Sequence, residues 1–481
     1  STLKNLDGTN SSVTFTRSTV GTIQSFFDVN TTITWDKLCA DAQRSASGDM
    51  HFSFNNLAPG TYAVYTYAVT AGSTQRATVQ VAGSSSWTTQ YVGADPTNDA
   101  LLPGDTCALH IVNLPAGGTL PITVVGSGTF GLGTIGGIQL KKIDSDRIRF
   151  YVDHNGAATA QDGSSWWKAY VDLQTPLEYA PVIGAADVEI WVKQGFYEPT
   201  TSLDRSISFV IPNGLYMYGG FDGTEASPDD RVIPLPTYLS GNIGADGTAD
   251  DSYHVVVADN TGTDTILDGF YIIRGNATGD DSRGGGIHID NGGLLVRRCT
   301  FSSNRSNLDG AAAYCHNSSA KFLDCVFYNN NAVNGAGGAV AISTGGTPWF
   351  VNCEFLGNDA IGDGGAIHVL FTSMNAVNCV FSGNQASFGN GGAVYHAGVA
   401  GDVATFTNCT FSKNSAPNAT CGGVFANKGV GSGAATANLN NCILWGNTAG
   451  SPSSTAGAQR SSSGGAVINA SFTPVEGLSA N

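Results

Sequence analysis

Short runs of alternating apolar and polar residues recur about every 27 residues through the second half of the chain. Examples are Ile287–Ile289, Val340–Ile342 and Ile367–Val369, and each predicts a strand with one buried face. Glycine, asparagine and β-branched residues crowd every unit and disfavour helical repeats. A β-propeller blade would need a longer period, roughly 40 residues. Three short strands and three turns per period predict one coil of a parallel β-helix, with about ten coils in all.

Two sequence motifs keep this period independently. The first is a Gly-Gly-small-apolar unit that begins at Gly284, Gly310 (degenerate), Gly337, Gly364, Gly391, Gly422 and Gly464. The second is Cys-x-Phe-x-x-Asn, whose ladder residues are Cys299, Cys325, Cys353, Cys379, Cys409 and Cys442, with Phe301, Phe327, Phe355, Phe381 and Phe411. Because neighbouring strands lie about 4.8 Å apart, like residues stack on like residues. We therefore expect the Cys and Phe columns to fill the interior, and the Asn side chains to hydrogen-bond between coils.

One residue in each strand that follows a Gly-Gly unit is predicted to point outward, and these residues form a further column. Its members are His288, Tyr314, Ala341, His368 and Tyr395. It varies more than the inward columns, which favours a solvated face.

The first 145 residues lack the repeat and predict a separate β-sandwich or jelly-roll domain, because alternating strands are broken by turns. The aromatic residues of this domain include Tyr65, Tyr67, Trp87 and Tyr91. We expect them in the core of the sandwich or at the rim of that core, with carbohydrate binding as the alternative. Cys39 and Cys107 are a candidate disulfide. Residues 146–481 form the predicted β-helix domain. A short cap helix is expected near 165–180, with Pro176 ending or kinking it.

Composition points to a secreted protein without an affinity for nucleic acid. The 481 residues contain 22 Lys and Arg against 38 Asp and Glu, a net charge of −16, and only 12% are charged. No apolar stretch approaches the roughly 18 residues of a membrane helix. The chain begins at Ser1 without a signal peptide, as a processed secreted protein would. Candidate glycosylation sites are Asn10, Asn30, Asn276, Asn304, Asn317, Asn418 and Asn469, with a further triplet at Asn408.

No catalytic, cofactor-binding or metal-binding residue is assigned from the sequence. In residues 284–450 the few acidic and basic side chains are scattered among corners and loops, although a site in the irregular early coils stays open. The ladder cysteines are expected to be free buried thiols, with disulfides between adjacent coils as the alternative, because side chains stacked in one direction are poorly disposed to the torsion of a disulfide. A zinc site is disfavoured, because ligands one coil apart form a line and zinc needs a tetrahedron. The acidic loops 222–230 and 246–251 leave Ca²⁺ open, with solvated loops as the default.

Two segments resemble the start of known bacterial surface proteins. They are Phe150-Tyr-Val-Asp-His through Trp166, and Tyr218-Gly-Gly-Phe-Asp-Gly-Thr-Glu225. With the later Gly-Gly-Ala and Phe-x-x-Asn repeats, they are similar to secreted right-handed parallel β-helix proteins with polymorphic-outer-membrane-protein-like repeats. The strand Leu57–Tyr65 also resembles jelly-roll modules attached to such proteins. This resemblance is specific for fold and weak for function.

The favoured functional prediction is a non-enzymatic extracellular structural protein or adhesin of the cell surface. Open strand edges would drive self-association, and head-to-tail contacts would give a filament or coat. Extracellular glycans are the other predicted partners; no nucleic acid, membrane span or cofactor is expected. The alternative function is a polysaccharide-binding protein, or a polysaccharide lyase or hydrolase, on the same scaffold.

Overall fold

The computed structural model describes most of the β-helix and parts of the N-terminal region. The described residues are 2–4, 10–19, 23–24, 43–45, 50–67, 76–82, 89–92, 107–114, 116–127, 134–135, 137–143, 147–156, 161–184, 188–231, 235–244, 247–279, 282–428 and 434–477. They form two compact units, residues 1–171 with 178–189, and residues 172–177 with 190–481.

The first unit contains antiparallel sheets. The largest has the strand order Thr2–Lys4, Asn10–Thr19, Met50–Leu57, Gly118–Ser127, Arg76–Val81 and Thr89–Val92. Two three-stranded sheets have the orders Gly137–Ile143, Gly60–Tyr67, Cys107–Leu114, and Thr134–Ile135, Gln43–Ser45, Ile23–Gln24. Alternate residues of the first two sheets share one core, including Phe52, Ile122, Val64 and Val112. This arrangement follows from period-2 burial along each strand.

The remaining elements of this region are short. They are the strand Ile148–Val152, the 3-10 helix Trp166–Lys168 and the helix Gln174–Ile183. The prediction that Pro176 would end or kink the helix is wrong. Pro176 lies in the first turn, where its missing N–H has no acceptor within the helix. Pro181 also lies inside this helix.

The second unit is a parallel β-helix of about nine coils, which we describe as sheets 1 to 4. Sheet 1 contains Val188–Lys193, Tyr216–Phe221, Ile266–Asp268, Leu295–Arg297, Lys321–Leu323, Trp349–Val351, Met374–Val377, Val403–Thr407, Thr436–Asn440 and Val467–Ser471. Sheet 2 contains Gly195–Tyr197, Thr237–Ser240, Tyr271–Ile273, Thr300–Ser302, Val326–Tyr328, Glu354–Leu356, Val380–Ser382, Thr410–Ser412 and Ile443–Trp445.

Sheet 3 contributes to every coil, and sheet 4 is present from the coil of Asn276 onward. Sheet 3 contains Phe209–Val210, Val256–Val257, Ile287–Asp290, Ala313–His316, Val340–Ser343, Ile367–Leu370, Val394–Gly398, Val424–Lys428 and Arg460–Ser462. Sheet 4 consists of two-residue strands: Asn276–Ala277, Arg305–Ser306, Asn331–Ala332, Asp359–Ala360, Gln385–Ala386, Ser415–Ala416 and Thr448–Ala449. Two short helices, Pro228–Asp230 and Thr455–Gln459, lie between strands. The all-β fold with a parallel β-helix is thus confirmed, although the sequence predicted three strands per coil rather than four.

Parallel rings stack inside the β-helix. The ring centroids of Phe327 and Phe355 lie 4.7 Å apart with 1° between the planes, and those of Phe355 and Phe381 are also 4.7 Å apart. A second column stacks Phe322 on Phe350 at 5.1 Å. These rings are fully buried, so the spacing of the coils fixes the packing of the core.

A buried asparagine ladder runs beside the rings. It consists of Asn304, Asn330, Asn358, Asn384, Asn414 and Asn447. Each Nδ2 donates to the Oδ1 of the next coil, as from Asn330 to Asn358 at 2.9 Å, and to a backbone carbonyl of the coil before. At the last coil Gln459 takes the place of an asparagine, and its Oε1 accepts a hydrogen bond from Asn447 Nδ2 at 2.6 Å. The ladder therefore satisfies its buried amides internally.

Candidate functional site

The candidate functional site is a groove of about 710 Å³ on the outer face of sheet 2 in the early coils. It is lined by Tyr238, Gly247, Thr248, Asp251, Tyr271, Ile273, Arg274, Thr300, Ser302, Ser303 and Tyr328. All of these residues belong to the β-helix unit. We call it the sheet 2 groove.

An aromatic column runs along the outer face of sheet 2, and its rings Tyr238 and Tyr271 line the sheet 2 groove. Phe196, Tyr238 and Tyr271 occupy one register position of three neighbouring strands, with their side chains on the outer face. Phe196 stacks on Tyr238 with 4.3 Å between ring centroids, and Tyr271 follows at 5.2 Å with a tilt of 49°. Strand alternation keeps Leu239 in the core. The rings therefore present edges and hydroxyls to the groove.

The tyrosine hydroxyls are free to bind a ligand. Within the described residues, no protein group hydrogen-bonds the hydroxyls of Tyr238, Tyr271 or Tyr328. Burial raises the pKa of Tyr271, and the neighbouring Tyr238 adds to this effect. The phenol thus stays neutral and keeps a proton to donate at neutral pH.

A loop forms the wall of the groove, and the neighbouring coil holds it in place. The chain leaves the strand Thr237–Ser240 and returns at Asp251. Arg274 Nη2 donates to Gly247 O at 2.6 Å, and Asn276 Nδ2 donates to Thr248 O. Arg205 Nε donates to Asp251 O, also at 2.6 Å. The wall is therefore anchored at both of its described ends.

Asp251 is the titratable group of this wall. Its side chain is only 2% exposed. Asp251 Oδ1 lies 3.5 Å from Arg274 Nη2, so the two groups form an ion pair, but this oxygen accepts no hydrogen bond. Burial raises the pKa of Asp251 to about 6, against the lowering effect of Arg274 and, more weakly, of Arg205 and Arg305; Asp250 raises it further. A carboxyl with this pKa can both donate and accept a proton near pH 6.

The combination suits a carbohydrate. Ring edges give apolar contact, neutral hydroxyls and Ser or Thr side chains give hydrogen bonds, and a guanidinium gives directed donors. Within the described part of the chain, no group of three or more His, Cys, Asp or Glu is placed to hold a metal ion. In the acidic loop at 222–230, Asp222 instead accepts from the Thr224 hydroxyl and backbone N–H, and these bonds lower its pKa.

The structure places the six ladder cysteines inside the β-helix as free thiols. Cys353 Sγ, for example, lies 3.4 Å from the backbone oxygens of Phe322 and Val351. Burial raises the pKa of Cys299 and Cys353, so these thiols stay protonated and act as small apolar groups. Cys315 and Cys421, which lie outside the ladder motif, are also buried and free.

Two of the predicted glycosylation sites are wrong. Asn304 is fully buried in the asparagine ladder, where its Nδ2 donates to Ile272 O and Asn330 Oδ1. Asn276 is buried beneath the loop wall and donates to Thr248 O. A glycan cannot be attached to an amide in either environment. By contrast, Asn317, Asn418 and Asn469 are exposed, as is Asn408.

The prediction that the outer column of sheet 3 is solvated is wrong for part of its length. Ala341 is 2% and Tyr395 8% exposed. The ring of Tyr395 packs between His368 and Phe425, with centroids 5.5 Å from each, and its hydroxyl accepts from Asn427 Nδ2. Ring stacking between coils therefore removes this column from water.

Several predictions concern residues or side chains that the structure does not describe. They concern Cys39 with its disulfide to Cys107, the aromatic side chains of Tyr65, Tyr67, Trp87 and Tyr91, and the glycosylation sites Asn10 and Asn30.

Sequence comparison agrees with this architecture. A family model described as a right handed beta helix region matches residues 285–472. The matched residues lie within the parallel four-sheet topology described above, and the two findings agree for this part of the chain. No curated protein matches it.

Solved structures with similar folds are distant. Pectate lyase Pel9A is 13% identical, with 70% of this chain and 79% of that chain covered and a TM-score of 0.42. The catalytic unit of a thermostable GH87 α-1,3-glucanase from Streptomyces thermodiastaticus is 12% identical, with 96% of both chains covered and a TM-score of 0.24. With TM-scores below 0.5, neither similarity bears on function.

No helix within the described ranges is both long and apolar enough to cross a membrane.

Proposed function

We propose that the protein binds a polysaccharide chain in the sheet 2 groove. The observation that carries this proposal is the outward aromatic column, with unpaired tyrosine hydroxyls beside Arg274 and Asp251. Successive coils repeat every 4.8 Å or so, close to the length of one sugar residue, so a linear glycan would meet one side chain per coil. An extracellular location, which fits such a ligand, is part of this proposal.

Binding is tested with purified neutral and anionic polysaccharides by affinity gel electrophoresis, followed by calorimetry on those that retard the protein. Tyr271→Ala and Arg274→Ala should each raise Kd by about 10-fold, the equivalent of roughly 1.4 kcal/mol. The matched control is Trp445→Ala, which removes a 56% exposed ring from the same sheet, far from the groove. Equal losses in the control and groove variants, or no binding by the wild type, would contradict the proposal.

Cleavage of the bound glycan is a second candidate function, favoured by Asp251. Its buried carboxyl lines the groove with a pKa of about 6, which suits proton transfer to a glycosidic oxygen or from a sugar carbon. New reducing ends report hydrolysis, and absorbance of an unsaturated product reports elimination. Asp251→Asn should abolish either signal, with circular dichroism to verify that the variant is folded. Binding without any product would leave the protein a non-catalytic glycan binder.

The structural or adhesive function expected from the sequence stays a prediction, as does head-to-tail self-association. A glycan-binding groove is compatible with adhesion, because a surface protein could attach through it. Electron microscopy of the native material tests the assembly, since it would show filaments or else separate particles.

A further inference from the structure

A carboxylate, an imidazole and a hydroxyl lie in consecutive coils on the outer face of sheet 3. Asp290, His316 and Ser343 are the fourth residues of the strands Ile287–Asp290, Ala313–His316 and Val340–Ser343. The parallel register pairs Asp290 with His316, and His316 with Ser343. With strands about 4.8 Å apart, the side chains form one row in the order carboxylate, imidazole, hydroxyl.

The carboxylate orients the imidazole. His316 Nδ1 lies 2.7 Å from Asp290 Oδ1, so Nδ1 carries the proton that the carboxylate accepts, and Nε2 carries the lone pair. Among the described residues, Nε2 has no hydrogen-bond partner. Tyr314 packs parallel to the imidazole ring, with 6.3 Å between centroids and 9° between planes. The His316 side chain is 41% exposed, so Nε2 is accessible to a substrate.

Ser343 lies beside this base in the next coil. Its Cα is in register with that of His316, and its Oγ hydrogen-bonds the Tyr314 hydroxyl at 2.9 Å. For Ser343 to act with His316, its Oγ must leave Tyr314 and turn to Nε2. Hydrogen bonds of catalytic groups are often longer in ligand-free proteins and tighten when substrate binds.

The turn after Ser343 contains two backbone donors. Thr344, Gly345 and Gly346 have φ values of 49°, 75° and 72°, and turns with successive backbone N–H groups can bind an anion. In the part of the chain that the structure describes, the N–H groups of Gly345 and Gly346 donate to no protein acceptor. A Cβ at Gly346 would approach Ser318 O to 2.0 Å, so the turn requires glycine there.

We propose that Asp290, His316 and Ser343 form a serine-nucleophile site that hydrolyses carboxylic esters. His316 Nε2 takes the Ser343 proton as Oγ bonds to the ester carbonyl carbon. The ester C–O bond then breaks, and the leaving alcohol takes that proton from His316. Water next attacks the acyl-serine, with His316 again as base, and releases the carboxylic acid and free Ser343. Asp290 is a positioning residue. This proposal is independent of the sheet 2 groove.

A fluorophosphonate ester, which phosphonylates activated serines, tests the site on the full chain. The wild type should be labelled at Ser343, as located by peptide mass spectrometry. Ser343→Ala should lose the label, and His316→Gln should label about 100-fold more slowly. The matched control Ser382→Ala removes an outward serine of sheet 2 and should keep the wild-type rate. Circular dichroism verifies that each variant is folded.

A conservative variant separates positioning from structure. Asp290→Asn should slow the labelling of Ser343, because the imidazole loses the carboxylate that fixes its Nδ1 proton. Asp290→Glu, which keeps a carboxylate, should restore part of the rate, whereas a merely structural role would not distinguish the two variants. Hydrolysis of p-nitrophenyl acetate should follow the same order of variants. Absence of label at Ser343, or equal labelling of the wild type and His316→Gln, would overturn the proposal.

Discussion

The buried asparagine ladder makes a quantitative prediction at Asn358. Its Nδ2 donates to Asn384 Oδ1 at 2.9 Å and to Phe327 O at 3.0 Å, and its Oδ1 accepts from both Nδ2 and the backbone N–H of Asn330. Asn358→Ala removes all four bonds and leaves the N–H of Asn330 buried without a partner. An orphaned donor costs about 1–3 kcal/mol and each other lost bond about 0.5–1.5 kcal/mol. With one orphaned donor and three other lost bonds, we expect the free energy of unfolding to fall by roughly 2.5–7.5 kcal/mol.

The assay is guanidinium unfolding followed by far-UV circular dichroism, with midpoint and slope compared between variants. The matched control is Asn352→Gly in the same coil. Asn352 belongs to an exposed ladder, where it donates to Asp324 at 2.9 Å, and its φ of 54° suits glycine. The control should change the free energy of unfolding by less than about 1 kcal/mol. A loss below that value for Asn358→Ala would refute the argument that the buried amides hold the coils together.

Three further predictions follow from the same structure. The free energy of unfolding should fall as pH rises from about 4 to about 6, because folding raises the pKa of Asp251 to about 6. In this range the folded state keeps a proton that the unfolded chain has lost. In Asp251→Asn the melting temperature should depend less on pH over the same range. Gly337→Ala should lower the free energy of unfolding, measured by chemical denaturation, by at least about 1–3 kcal/mol, because φ is +67° and a Cβ would lie 2.3 Å from a backbone oxygen. The control Gly383→Asn should be tolerated, because this corner is left-handed but has open space around it. Burial raises the pKa of Cys315 and Cys421 to about 12, so both should react with a disulfide reagent only after unfolding, as mapped by mass spectrometry.

The periodic part of the molecule could be predicted because, in stacked coils, residues at the same position of the repeat have the same surroundings. Phe355 and Cys353 could be assigned to the interior from the period alone, as the structure confirms for their burial. The N-x-S triplet misled at Asn304, because it carries no information about burial, whereas the period places this residue in the ladder where the structure has it. The period has a limit of its own. It could not show that Tyr395 is covered, since that depends on the rings in adjacent coils.

The sheet 2 groove could not be predicted in the same way. Tyr238 and Tyr271 belong to early coils with insertions, so no regular spacing relates them in the sequence. The wall depends on Arg274 reaching a carbonyl in a loop that has no repeat partner. The row on sheet 3 did leave a signal, because Asp290, His316 and Ser343 are separated by one period each. Because the three strands share one register, residues one period apart lie next to each other.

The most direct test of the central claim, glycan binding in the sheet 2 groove, is a crystal structure with an oligosaccharide from whichever polysaccharide binds best. The account predicts sugar rings along Tyr238 and Tyr271, with a hydroxyl or carboxylate on Arg274. Sugar density confined to the N-terminal unit or to another face of the β-helix would contradict it.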